Sequence, residues 1–201
     1  MLSKEHAQHI EQAVRAAETT TSAEIAVCIL PSSGDDRGLA AIAGATTFAA
    51  VQAIGSAMWL DPLIVIPMGL VAAILVFWLC DRFDLGLRCL PAKLLVKDAR
   101  RAARAAFLDG GLDNTPERNA VLLFVSRAEH YVEVLPDRAA AAAIDATHWS
   151  AIVDGFRQAA RKGDLGEAVA GAVSAIGKIC AAHFPASGAN PDRVSNQPIQ
   201  G

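Results

Sequence analysis

The sequence predicts an α/β sandwich, a small mixed sheet with helices on its faces, interrupted by an inserted transmembrane helical hairpin. Two uncharged apolar runs, Leu39 to Leu60 and Leu63 to Cys80, are separated only by Asp61 and Pro62. Short β-type segments and amphipathic stretches flank them. With 201 residues and 53% apolar content, removing the hairpin leaves about 160 residues, which suits one compact domain. The expected boundaries are residues 1–38 with 81–186 for that domain, 39–80 for the hairpin and 187–201 for an irregular tail.

Lys4 to Glu18 carries Ile10, Ala13, Val14 and Ala17 on one face, with Ser3 placed to cap it, and reads as an amphipathic helix. Ser22 to Leu30 then reads as a strand, with Ile25, Val27 and Ile29 on one side and Cys28 and Leu30 on the other.

The hairpin runs reach roughly 33 Å and 27 Å at 1.5 Å per residue, close to the ~30 Å hydrocarbon core of a bilayer. A buried hairpin in a soluble protein is the alternative, since Thr46, Thr47, Gln52 and Ser56 make the first run only moderately apolar. The other apolar segments are too few to wrap two such helices, which favours lipid. Met1 to Glu18 reads as a polar amphipathic helix rather than a signal peptide, so the hairpin is expected to persist in the mature protein. After Cys80, Arg82, Arg88, Lys93, Lys97, Arg100, Arg101 and Arg104 outnumber Asp81, Asp84 and Asp98. The positive-inside rule then puts both termini and the soluble domain in the cytoplasm. Ala41, Ala45, Ala49, Ala53 and Ala57 form a small-residue stripe, for packing on the second span or on another copy as a homo-oligomer.

Beyond the hairpin, Leu85, Leu87, Leu90 and Pro91 read as an interfacial segment, followed by a helix from about Ala92 to Leu108. Lys97, Arg100, Arg101 and Arg104 share one face of it. That stripe fits anionic lipid headgroups, and equally a solvated face whose charges set topology. Asp109, Gly110 and Gly111 end the helix, and Asp113 to Pro116 form a turn. Ala120 to Ser126 is a strand covered on both faces, and His130 to Leu135 pairs with it as a hairpin. Helices near Ala146 to Lys162 and Gly166 to Phe184 complete the domain.

A net charge of -3 gives no pull toward nucleic acid. The four cysteines, Cys28, Cys80, Cys89 and Cys180, include no CxxC pair, so they form neither a disulfide framework nor a zinc site. The sequence lacks a GxxxxGK[ST] cradle, a GxGxxG turn, an HExxH pair and a GxSxG elbow. What remains is a polar group near strand ends: Glu24, then Asp109, Asp113, Asn114, Arg118 and Asn119, then Asp137. Such hard oxygen ligands suit Ca²⁺ or Mg²⁺ if they converge. Turn and cap chemistry, with Arg118 paired to a carboxylate, is the competing reading.

Glu18 with Thr21-Ser22-Ala23-Glu24-Ile25, Ala105-Ala106-Phe107, Thr115-Pro116-Glu117-Arg118-Asn119-Ala120-Val121, Val132-Glu133-Val134-Leu135-Pro136-Asp137, Trp149 and His183-Phe184-Pro185 together resemble the TPM-domain family. The resemblance covers residues 1–31 and about 90–196, and is similar in particular to the bacterial branch with a hydrophobic hairpin after the first strand. It implies a three-layer α/β/α sandwich and a place in a bacterial inner membrane. Its members include thylakoid proteins linked to photosystem II repair and to acid phosphatase activity, and some bind calcium. The sequence departs from the family at Ala23 and Ala120, where glycine is common, and at Arg138-Ala139-Ala140, where a glycine usually follows the aspartate.

Three functions follow as expectations. The first is a non-catalytic, membrane-anchored interaction module that assembles or maintains other membrane proteins. The second is a metal-dependent phosphatase, with Asp109, Asp113 and Asp137 as ligands and Arg118 steadying a phosphate. The third is a lipid-surface sensor reading headgroups through the basic stripe.

Overall fold

The computed structural model describes residues 4–34, 36–83, 91–186 and 199–200. It divides into two compact units, Met1–Pro31 with Ala99–Gly201, and Ser32–Asp98. In chain order the elements are α1 (Lys4–Glu18), β1 (Ile25–Leu30), α2 (Asp36–Ala57), α3 (Pro62–Phe83), α4 (Ala92–Asp109), β2 (Val121–Ser126), β3 (Tyr131–Pro136), α5 (Arg138–Ala143), α6 (Ala146–Ala160), α7 (Leu165–His183) and β4 (Ile199–Gln200).

The first unit is mixed α/β around a small sheet in the order β3-β2-β1-β4. β1 runs parallel to β2, and β3 returns antiparallel beside β2. Side-chain alternation builds two cores, as a pleated strand requires. Ile25, Val27 and Ile29 join Val121, Leu123, Val125, Val132 and Val134 on one face, packed against α1, α6 and α7. Ala26, Cys28, Leu122 and Phe124 point the other way, against Ala103, Phe107 and Leu112. β2 is buried along its whole length, because helices cover it on both faces.

The helix α7 crosses α1 closely. A Cβ at Gly177 would lie 2.6 Å from that of Ala17, so only glycine fits there. Ile10 and Val14 of α1 and Val173 and Ile176 of α7 are fully buried in the same cluster. Each contributes about 1.5–3 kcal/mol by leaving water.

The strand expected from Ser22 begins only at Ile25. Thr21 Oγ1 donates to Phe184 O at 2.6 Å and accepts from Ala23 N at 3.1 Å, and Ser22 N donates to the same Phe184 carbonyl at 2.9 Å. The chain is tied to the end of α7 before it can enter the ladder. The Asp113 turn is a short 3-10 helix, Leu112–Asn114, entered through Gly111 at φ 66. The helix α5 and the two-residue β4, which lies within the expected irregular tail, were not foreseen. Ser3, Arg88, Leu85, Leu87, Leu90, Cys89 and residues 187–198 and 201 lie outside the described residues.

In the second unit α2 and α3 pack against each other. Among the described residues, Ala40, Gly44 and Gly55 of α2, and Val65 and Gly69 of α3, are its buried positions. A Cβ at Gly55 would meet Val65 at 2.4 Å, and one at Gly69 would meet Gln52 Nε2 at 2.6 Å. Gln52 Nε2 also donates to Val65 O at 3.2 Å. The alanine stripe does not pack on the second span. Ala41, Ala45, Ala49, Ala53 and Ala57 are all exposed, because glycine permits the closer approach and takes the seam.

Three helices are long and apolar enough to cross a membrane by length and composition: Gly38–Ala57, Pro62–Phe83 and Leu165–His183. The third is half buried within the first unit, which marks it as a core helix. The first two leave Ile42, Ile54, Leu63, Ile66, Val71, Ile74 and Trp78 exposed.

Candidate functional site

The polar group near the strand ends is partly assembled by strand register. Ile25 stands beside Val121, and Val121 beside Pro136. One step beyond, Glu24, Ala120 and Asp137 form a row across the sheet end. Val121 N donates to Glu24 O at 2.8 Å, and Asp137 N donates to Ala120 O at 2.7 Å.

Arg118 locks this end. Its Nε lies 2.9 Å from Asp137 Oδ2, too far off line for a linear hydrogen bond but at contact distance for an ion pair. Its Nη1 donates to the Asp113 carbonyl. Its backbone N donates to Thr115 O at 3.2 Å, and its carbonyl accepts from Ala139 N at 2.9 Å. All this holds the residue at φ 52, a left-handed conformation that strains a side chain with a Cβ. Asp137 is 5% exposed. It precedes α5 as the N-cap residue but makes no side-chain cap bond there, leaving its carboxylate for Arg118.

A second cluster lies alongside. The buried Asn119 donates through Nδ2 to Ser22 O at 3.1 Å and to Glu117 Oε2 at 2.9 Å, and Ser22 Oγ donates to the same carboxylate oxygen at 2.8 Å. Ser22 and Glu117 were absent from the sequence-predicted site. Their signal was adjacency to Glu24 and Arg118 in the chain.

The remaining predicted residues do not join. Asp109 and Asn114 are exposed, and Asp113 offers Arg118 its backbone carbonyl. Among the described residues, no three His, Cys, Asp or Glu side chains come together as a metal-binding group. Arg118 also places a positive charge against the carboxylate that a cation would need. The residues present do not fit a Ca²⁺ or Mg²⁺ site. Ala23 and Ala120 are fully buried, and neither has the positive φ that would call for glycine.

On α4, Lys97, Arg100, Arg101 and Arg104 are exposed. Arg100 Nε lies 3.7 Å from Glu133 Oε1, and the Tyr131 hydroxyl donates to Glu133 Oε2 at 2.7 Å. Burial, then the bond to Glu133, pushes the Tyr131 phenol up. Arg100 is therefore partly engaged within the protein. A groove of about 410 Å³ between α6 and α7 is lined mainly by apolar groups such as Ile152, Phe156 and Ala175, without the convergent polar set of a ligand site.

Residues 93–179 match the family model for the TPM domain. The solved structure of BA42 protein from the psychrophilic bacterium Bizionia argentinensis is similar, with a TM-score of 0.64 at 16% identity, over 100% of this chain and 96% of that one. At that identity the likeness speaks to fold alone. No curated protein matches. The matched segment, which is similar to the TPM domain, contains the Thr115 to Val121 motif and the Arg118–Asp137 pair.

Proposed function

We propose that this protein is a TPM-domain module anchored by the α2–α3 hairpin in a bacterial inner membrane, acting without catalysis in the assembly or maintenance of other membrane proteins. The observation that carries the reading is the sheet end itself. Arg118 stands at ion-pair distance from Asp137, and Asn119, Glu117 and Ser22 hydrogen-bond one another, which supports reading the group as a structural lock. The exposed apolar surface of α2 and α3 supports the anchor. Arg82, Lys93, Lys97 and Arg104 support a cytoplasmic TPM domain with both termini on that side.

Site-specific crosslinking in native membranes tests the module. Repeated capture of the same few membrane proteins, lost when the hairpin is replaced by an unrelated one, is the expected result. Recovery of abundant proteins in proportion to their amount would count against it.

The rival phosphatase reading has one observation in its favour, the strained backbone of Arg118 beside a buried carboxylate. Hydrolysis of a phosphate ester that disappears in Asp137→Asn, with the fold intact, would favour it over the module.

A further inference from the structure

We propose that the outer edge of β1 is a strand-acceptor site, filled by the chain's own segment at Ile199–Gln200 and open to exchange with the same segment of a second copy.

The direction of the backbone groups carries the argument. Glu24 O accepts from Val121 N at 2.8 Å, and Leu30 O accepts from Arg127 N at 3.0 Å. Even-numbered residues of β1 therefore face β2. Alternation turns the N–H and C=O groups of Ile25, Val27 and Ile29 to the opposite edge. There Glu18 Oε1 accepts from Ile25 N at 3.1 Å, which closes the N-terminal end of that edge with a side chain. Val27 and Ile29 are each 3% exposed, so their outward backbone groups need a protein partner rather than water. For the Val27 carbonyl and the Ile29 N–H the partner is β4, parallel to β1, with Cys28 opposite Ile199 and Ile29 opposite Gln200.

Among the described residues the site is thus two pairs long and parallel, and Glu18 closes its N-terminal end. Main-chain pairing of this kind is the chemistry of strand addition. Among the described residues two pairs hold the occupant, and an occupant held by so short a pairing exchanges more easily than a full-length strand. Residues 187–198 cover roughly 40 Å at full extension, enough to deliver the segment to the edge of a neighbouring copy. Exchange of an identical element is a low-cost route to association.

Amide hydrogen exchange on the full chain in detergent micelles tests the proposal. In Ile199→Pro the substituted residue cannot donate, and exchange at Val27 and Ile29 should quicken at least tenfold, with Leu123 and Val134 unchanged. A peptide of residues 190–201 should restore protection. So should unlabelled intact protein mixed with isotope-labelled Ile199→Pro. Unchanged exchange at Val27 and Ile29 would overturn the acceptor site. Restoration by the peptide but never by intact protein would overturn exchange between copies. A readout without substitution is a spin-labelled 190–201 peptide added to the intact chain, which should broaden the Val27 and Ile29 amide signals selectively. No broadening at saturating peptide would also overturn exchange.

Discussion

Arg118 and Asp137 face each other across the sheet end, Nε to Oδ2 at 2.9 Å, with the aspartate buried and the arginine side chain 38% exposed. The pair joins the loop before β2 to the turn after β3, two segments that share no local sequence relation. Removing one partner of a buried pair costs about 3–5 kcal/mol, and the exposure of Arg118 places Arg118→Ala nearer about 2–3 kcal/mol. Arg118→Gly should be milder by about 1 kcal/mol, because glycine relieves the left-handed backbone. Urea titration followed by Trp149 fluorescence, in a Trp59→Phe/Trp78→Phe background, checks the order.

In the second unit, packing depends on Gly55 and Gly69, where a Cβ would meet Val65 or Gln52. Gly55→Leu and Gly69→Leu should separate α2 from α3 and raise amide exchange in both helices in micelles. Ala45→Leu, at an exposed position, should leave exchange unchanged.

Asp164 caps α7 by accepting from Glu167 N at 3.0 Å. That backbone bond, aided by His6, holds its carboxyl below the usual value of 3.8. A depressed folded pKa contributes stability above the unfolded value and loses it as pH falls through the folded one. Asp164→Asn keeps a capping oxygen and should flatten the acid limb of the melting curve below about pH 4. Asp164→Ala should lower the melting temperature at neutral pH as well.

Burial pushes the Cys28 thiol up to about 11 and the Cys180 thiol up to about 12. Both should resist maleimide at pH 8 in the native state and react after unfolding. Peptide mapping by mass spectrometry, with time points before and after denaturant, checks this. Prompt native labelling of Cys180 would mean that α7 opens readily.

If the basic face of α4 touches anionic lipid, its residues should not weigh equally. Arg100 is engaged with Glu133, so Arg104→Gln should weaken binding to anionic vesicles more than Arg100→Gln. Each residue near such a surface is worth about 1 kcal/mol, falling with added salt. Vesicle flotation at two salt concentrations separates the cases.

Local patterns were the legible part of the sequence. The apolar face of Lys4–Glu18 and the alternation of Ile25, Val27 and Ile29 depend on neighbouring residues, and α1 and the β1 core face appear as read. The α2–α3 seam was less legible, because small residues recur on two faces of α2 and only the partner helix chooses between them. α5 is an alanine run with no periodic apolar face. The sheet-end polar group was found as a set, since each member flanks a strand. That Arg118 neutralises Asp137, while Asp109 stays outside, depends on three-strand register and on a left-handed residue, neither of which spacing encodes.

The contact of α1 with α7, sealed by Gly177 against Ala17, ties residues near the two ends of the chain. During synthesis the α2–α3 pair has both halves as soon as residue 83 has been made, whereas the first unit must wait for α7. Until then Ile10, Val14 and the β1 face lack the cover that α7 gives. The newborn chain therefore passes through a stage in which its hairpin is complete and its core is open. At that stage dependence on a chaperone would be greatest.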